Sequence, residues 1–329
     1  MEEDKRNVLL FFVISVLIMV SYPYFFNQKQ ANQQHFQKLN EYETPIVAPK
    51  VNNNSSVFNQ NKVENIKIES VSIIGSISSC GAKIGDVKLK KYKKDSVGNE
   101  NVSVFGNSDG NYFAITNWVS DNPGIILPNE NTCWKAKSTK VTETSPVELT
   151  WDNGNGLIFE KHISIDDNFL VTIIDKVKNY GNENVSLKSV MRINRKFEKS
   201  SDSFNFYEGP LGYTNGKLEE ISYEDLSKKD NVTIETKGGW FGITDKYWLV
   251  AFLPNQNLTY KVSYRHSRDS KNVYVIESVD DALLIAPSVE ISKTHHLFVG
   301  PKEIKTLDMY ENKLGVKHFD MAIDFGYLY

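Results

Sequence analysis

Glu160 and His162 stand two residues apart in a stretch that alternates apolar and polar residues, so both side chains fall on one face of a strand. A histidine beside a carboxylate is the arrangement that general acid–base work needs. The other chemistry-bearing residues are less concentrated. His35, His266 and His318 are scattered, and His295 and His296 are neighbours in a strand-like run. Adjacent strand residues point to opposite faces, which sets that pair against ligating one metal. Asp166–Asp167 and Asp280–Asp281 sit in turn-like contexts, where carboxylates bond backbone amides. The sequence carries no phosphate-binding glycine loop, no nucleophile elbow and no paired-histidine zinc helix. No catalytic residue, metal or cofactor is expected. Cys80 and Cys133 lie 53 positions apart; a bridge and two buried thiols both fit.

Lys237 to Leu253, KGGWFGITDKYWLVAFL, is the densest feature. Gly238, Gly239 and Gly242 permit tight turning or close backbone approach. Trp240 and Trp248 supply large apolar area, Asp245 and Lys246 a turn with a local ion pair, and Tyr247 opens an uninterrupted apolar strand. Nothing in the block is a nucleophile with a base. It reads as a glycine-rich turn feeding a strand buried on both faces, with partner contact as the alternative.

The elements that must hold these residues are strands. From Val63 onward alternation begins, with Ile66, Ile68, Val71 and Ile73 opening a strand series. Leu157 to Ile165, Phe169 to Val177 and Val185 to Ile193 alternate around two turns, Asp166–Asn168 and Gly181–Asn184, and are expected to form a three-stranded antiparallel meander. Further strands fall at Lys261–Arg265, Val273–Glu277 and Ile291–Val299. One helix is expected after Gly300, with Pro301 in its first turn and Ile304, Leu307, Tyr310 and Leu314 on its apolar stripe. An all-β sandwich of many strands follows.

Ahead of this domain, Val8 to Phe26 carries no charge over 19 residues, a helix of roughly 29 Å, about the thickness of a bilayer core. Val8, Leu9, Leu10, Phe11, Phe12, Val13, Ile14, Val16, Leu17, Ile18, Met19 and Val20 are the expected membrane anchor. Lys5 and Arg6 precede it and place the N-terminus in the cytoplasm, with the rest exported. The apolar stretch would also serve as a signal core, but the preceding residues are net acidic and no A-x-A-like site follows. The net charge of −3, from 38 basic and 41 acidic residues, argues against a nucleic-acid partner.

Several blocks occur together and in order: Arg6-Asn7-Val8-Leu9-Leu10, then Tyr207-Glu208-Gly209-Pro210-Leu211-Gly212, then Gly239 to Trp248. Leu297-Phe298-Val299-Gly300-Pro301-Lys302 follows, and last comes Asp324-Phe325-Gly326-Tyr327-Leu328-Tyr329. With them the chain resembles the YidC/Oxa/Alb family of membrane protein insertases, in the form of its Gram-negative members, over essentially its whole length. The resemblance implies a β-supersandwich of galactose-mutarotase type in the periplasm, closed by a short C-terminal helix. It implies inner-membrane localisation, with the lipid bilayer, the Sec translocon with its accessory subunits, and nascent inner-membrane proteins as partners. In the family, five further spans follow the closing block and carry the substrate groove. The sequence ends before them, so no groove residue is carried over.

The expected organisation is an anchor at 1–27, a flexible linker rich in Asn and Gln at 28–62, a periplasmic β-supersandwich at 63–314, and at 315–329 the start of a connection to the missing core. Gly238, Gly239, Trp240, Gly242, Asp245, Lys246, Tyr247, Trp248, Gly300 and Pro301 are its family-motif residues, structural or partner-contacting. The implied role is that of a tethering and docking part of an insertase rather than an enzyme. The alternatives are an anchored carbohydrate-binding or mutarotase-like protein using His162 and Glu160, and a structural envelope protein.

Overall fold

The structure is a computed structural model that describes residues 64–94, 98–105, 112–197, 207–229, 231–267 and 272–324. The anchor at Val8–Phe26 and the linker at 28–62 therefore lie outside the described residues. Among the described residues no helix is long and apolar enough to cross a membrane.

Strands follow one another as β1 (Asn65–Glu69), β2 (Ile73–Ser78), β3 (Ile84–Lys93), β4 (Asn101–Ser103), β5 (Tyr112–Val119), β6 (Lys135–Ala136) and β7 (Lys140–Val141). Next come β8 (Val147–Asp152), β9 (Leu157–Ile165), β10 (Leu170–Asn179), β11 (Val185–Lys196), β12 (Gly209–Thr214) and β13 (Lys217–Glu220). After the short helix α1 (Tyr223–Lys229) come β14 (Asn231–Lys237), β15 (Trp240–Thr244), β16 (Trp248–Phe252), β17 (Thr259–His266), β18 (Val273–Asp280), β19 (Leu283–Ile285) and β20 (Glu290–Pro301). The helix α2 (Ile304–Leu314) and a single 3₁₀ turn, Phe319–Ala322, complete the described chain.

The strands form two sheets. The first runs β14-β17-β18-β11-β5-β3-β2-β1-β7, with β19 added beside β11 and β4 beside β3. The second runs β13-β12-β15-β16-β20-β10-β9-β8-β6. Alternation explains which side chains meet between them. Leu157, Phe159, Ile163 and Ile165 of β9 are buried while the residues between them are half-exposed, except Lys161. Contacts cross from sheet to sheet, as from Lys161 of β9 to Thr116 of β5 and from His295 of β20 to Ser189 of β11. The expected sandwich is thus the fold observed.

Three expectations are corrected. The expected meander keeps β9 and β10 but not β11; its third strand is the preceding β8, which pairs with β9. β9 and β10 pair antiparallel from Val171–Ile165 to Asn179–Leu157, but the other edge of β10 is taken by β20, so β11 has no free edge to join. The chain instead crosses to the first sheet, where β11 pairs with β5 and β18. Buried Asn179 holds the crossover: its amide donates to the carbonyls of Glu183 at 2.8 Å and Ile285 at 3.0 Å, and its oxygen accepts from Gly181.

The second correction concerns Pro301, which is the last residue of β20, opposite Trp248, rather than part of the helix. A strand terminus tolerates a residue without an N–H. α2 starts at Ile304 after Glu303 and ends on Gly315, whose φ of 67° is the left-handed C-terminal cap. It buries Leu307 and Tyr310, whereas Ile304 remains exposed. The third is Val71, which is exposed in the β1–β2 turn and not a strand residue. The helix α1 was not expected; Ser222 caps it by accepting from the Asp225 N–H at 3.0 Å. Cys80 and Cys133 are joined in a disulfide that also bridges two backbone segments, with Trp134 N–H bonded to the Ser79 carbonyl.

Candidate functional site

The glycine-rich block builds β15, the turns at its two ends and the start of β16. Gly238 and Gly239 both adopt positive φ, 65° and 86°, where a side chain is strained. A Cβ on Gly239 would fall on the Tyr213 carbonyl oxygen. Gln256 clamps the turn by accepting from Gly239 N–H at 2.8 Å and donating to its carbonyl at 2.9 Å. Trp240 is fully buried against Phe319, and its indole N–H donates to the His318 carbonyl at 3.1 Å. Gly242 lies against the Val250 backbone, where a Cβ would fall on the carbonyl oxygen.

Beyond the strand the chain turns at Asp245. Its amide bonds the Trp248 carbonyl at 2.9 Å, and its carboxylate pairs with half-buried Arg195 at 2.7 Å. The Arg195 guanidinium is itself stacked over Tyr112. Tyr247 holds the turn to β20 through its backbone, accepting from Lys302 N–H at 2.9 Å, while its ring is exposed beneath the Lys246 ammonium. Trp248 is half-buried, edge-on to Tyr92 at 5.3 Å. At the end of β20 a Cβ on Gly300 would strike the Phe169 ring at 2.7 Å, and Pro301 is buried. The motif residues thus fall in two groups, Gly238 and Gly239 at the start of β15 and Asp245 to Trp248 with Gly300 and Pro301 beyond its end. Lys246 and Tyr247 face solvent; most of the others turn backbone or fill space.

Next to this block the end of the described chain is tied down. Tyr310 of α2 accepts from Phe169 N–H at 2.9 Å and donates to Asp166 at 2.9 Å, so the Asp166 turn also docks the helix. Glu311 accepts from Phe319 N–H, and Asp324 accepts from Tyr207 N–H at 3.1 Å. A cavity of about 370 Å³ opens here, lined among others by Tyr207, Glu220, Lys302, Met321, Ile323 and Asp324. Burial pushes the Lys302 ammonium below the ordinary lysine range, against the pull of Asp324 and Asp245.

Glu160 and His162 do meet, with His162 Nε2 3.2 Å from Glu160 Oε2, but on the outer face of the second sheet and half-exposed. Glu148 stands opposite His162 in register on β8. Ligand atoms of the three residues lie within 4.8 Å of one another, so they could approach a metal. The carboxylates are already matched: the hydrogen bond from Lys137 holds Glu148 below the usual carboxylate range, and Lys176 faces Glu160 across the strands. His295 and His296 point to opposite faces, as alternation requires. His295 is buried, and His296 approaches Thr172.

Between the sheets sits a polar cluster that sequence reasoning missed. Lys161 donates to Asp175 at 2.6 Å and to the Thr116 carbonyl at 2.7 Å, and its ammonium lies over Trp134. His295 contacts Ser189 at 3.1 Å and Asp175 at 3.5 Å. The signal was present: Lys161 keeps phase with Phe159 and Ile163, and Asp175 with Ile173 and Val177, so both charges fall on inward positions. The cluster is enclosed and offers no approach to a substrate; its chemistry is that of a compensated buried ion pair.

Residues 65–329 match the family described as YidC periplasmic domain. The whole chain is similar to the proteins named membrane protein insertase YidC of Rickettsia bellii, at 33% identity and covering 61% of that protein, and of Rickettsia canadensis, at 32% and 61%. The relative of the same name in Beijerinckia indica is 32% identical and covered over 59%. The chain therefore spans about three-fifths of the length of the curated relatives it matches. Among solved structures, a galactose mutarotase related enzyme from Lactobacillus acidophilus aligns with a TM-score of 0.50 at 13% identity, over 71% of this chain and 97% of that one. A putative aldose 1-epimerase from Escherichia coli aligns with a TM-score of 0.50 at 11% identity, over 73% and 100%. At such identities the likeness is one of fold: a galactose mutarotase-like sandwich.

Proposed function

The chain belongs to the YidC periplasmic domain family, and on that premise we propose that it is the anchored, periplasmic part of a YidC-type membrane protein insertase. The observation that carries this is the family match over 65–329, which spans every described strand and both helices. In this reading residues 1–27 hold the chain in the inner membrane with the N-terminus cytoplasmic, 28–62 form the linker, and 63–314 the periplasmic docking domain. Residues 315–329 lead toward the insertase core. Its work is non-enzymatic: tethering, and docking to the Sec translocon and its accessory subunits while inner-membrane proteins insert. The motif residues support that reading, because they order the two ends of β15 and leave the Tyr247 ring exposed to solvent.

The test is depletion of the gene product in its own cells, with protease accessibility of a membrane-protein reporter as readout. Stalled insertion and cross-linking of the domain to translocon subunits are expected; normal insertion after depletion would overturn the proposal. The mutarotase-like fold and the Glu160–His162 contact favour one competing reading, an anchored sugar-binding protein. Calorimetry with galactose and glucose separates the two, since saturable heat abolished by His162→Ala belongs only to the second.

A further inference from the structure

Cys80 and Cys133 are the two cysteines of the chain, and they are bonded to each other. Cys80 lies in the turn between β2 and β3, and Cys133 just ahead of β6. The two residues stand directly opposite in a short antiparallel bridge. Its backbone bonds lie on either side of them: Gly81 N–H donates to the Thr132 carbonyl and Trp134 N–H to the Ser79 carbonyl, each at 2.8 Å. The cysteines therefore occupy a non-hydrogen-bonded position, where facing side chains approach most closely.

Contacts other than the disulfide hold them there. On the side of Cys133, the Asn117 amide donates to the Pro128 carbonyl at 2.8 Å, and the Asn153 amide to the Ile126 carbonyl at 3.0 Å. Glu130 pairs with Arg192 at 2.8 Å, and Trp134 is buried beneath the Lys161 ammonium. On the side of Cys80, Ser79 is tied to Glu64 by its N–H and by its hydroxyl, which accepts from Glu64 N–H at 2.9 Å. Gly81 has a φ of 80°, and a Cβ there would lie 2.5 Å from the Glu130 carbonyl oxygen, so the two segments meet backbone to backbone. None of these contacts needs the sulfur–sulfur bond, so opening it leaves the thiols facing each other. Both cysteines are half-buried rather than enclosed, within reach of a small disulfide. In an unfolded chain the same thiols meet only by closing a loop of 53 residues, and effective concentration falls with loop length.

We infer that Cys80 and Cys133 are a preorganised dithiol: the folded domain aligns them first, and a disulfide donor then oxidises them by exchange at the protein surface. One thiolate of the pair attacks a donor sulfur, a donor thiolate leaves and a mixed disulfide forms. The second thiolate attacks the protein sulfur of that mixed disulfide, the Cys80–Cys133 bond forms and the other donor thiolate leaves. The protein gives up two electrons and two protons, and the donor takes both. The reaction that must precede the finished domain is thus thiol–disulfide exchange on a folded substrate, a chemistry that exported compartments supply. The inference stands apart from the insertase reading, because it rests on the bridge alone.

The test uses the full chain in detergent, reduced with dithiothreitol, freed of it and exposed to glutathione disulfide in buffer and in concentrated urea. Circular dichroism checks the reduced chain in buffer; loss of the β signal on reduction would overturn the inference, since alignment would then depend on the bond. Samples are quenched with acid, alkylated with a maleimide and weighed by mass spectrometry, which separates the bridge from glutathione adducts. The ratio of ring closure to second glutathionylation gives the effective concentration of one thiol at the other. That ratio is expected to be more than about tenfold higher in buffer than in urea. Equal ratios, or adducts that accumulate in buffer without closing, would overturn the preorganised pair. Thiols that react only in urea would overturn the surface step.

Discussion

Lys161 and Asp175 are an ion pair with almost no exposure, 2.6 Å apart in the middle of a β sandwich. Such a pair adds little to stability against an apolar substitute, yet removing one partner strands the other charge. Lys161→Met is therefore expected to cost about 3–5 kcal/mol in urea unfolding, and Lys161→Met with Asp175→Leu to recover part of it. His295 beside them sets a pH dependence. Burial holds its imidazole below the ordinary histidine value despite Asp175, so the folded state favours the neutral ring. An unfolded chain binds that proton more readily, so His295 contributes stability above its unfolded pKa, about 6.5, and the contribution is lost as pH falls below that value. Thermal melts against pH should show this slope in the parent chain and lack it in His295→Gln. The inward phase of Lys161 and Asp175 was readable from alternation. Their partners on the facing sheet, Thr116 and Ser189, were not, because pattern says which face a residue takes and nothing about which strand lies across from it.

At the scale of elements, the strands were legible and their neighbours were not. β9, β10, β16, β17, β18 and β20 fall where alternation or unbroken apolar runs placed them. Gly181–Asn184 has the composition of a hairpin turn, and only the occupied edges of β10 reveal that it is a crossover between sheets. Gly300-Pro301 has the composition of a helix start, but pairing with Trp248 keeps Pro301 in the strand. The motif glycines were legible as close approaches in kind, and the structure separates those that matter. Gly242→Ala sets a methyl against the Val250 carbonyl and is expected to cost about 1–3 kcal/mol. In Gly85→Ala the nearest heavy atom is 3.5 Å away and φ is not positive, so the change is expected to stay within about 0.5 kcal/mol. Denaturant midpoints of the two variants check the contrast.

For the molecule as a whole, the Cys80–Cys133 bond closes a loop of 53 residues across the first-sheet strands β3, β4 and β5. Reduction is expected to lower stability by up to about 4 kcal/mol in the chain-entropy model, measured as the shift of the urea midpoint with and without dithiothreitol. Cys80→Ser with Cys133→Ser should match the reduced parent and no longer respond to reductant. The second sheet has a different kind of closure. Among the described residues its β6-β8-β9-β10 half and its β13-β12-β15-β16 half are joined only through β20, which pairs with Lys178 to Leu170 on one side and with Trp248 to Phe252 on the other. β20 is the last of the described strands to be synthesised. A chain emerging N-terminus first must hold the edges of β10 and β16 unsatisfied until residues 290–301 arrive, and each waiting edge is a template for wrong pairing. β20 is therefore a keystone in time as well as in space. It sets a high contact order, defers completion of the sandwich until nearly the whole domain has been delivered, and leaves the half-built sheet reliant on whatever shields it in the interval.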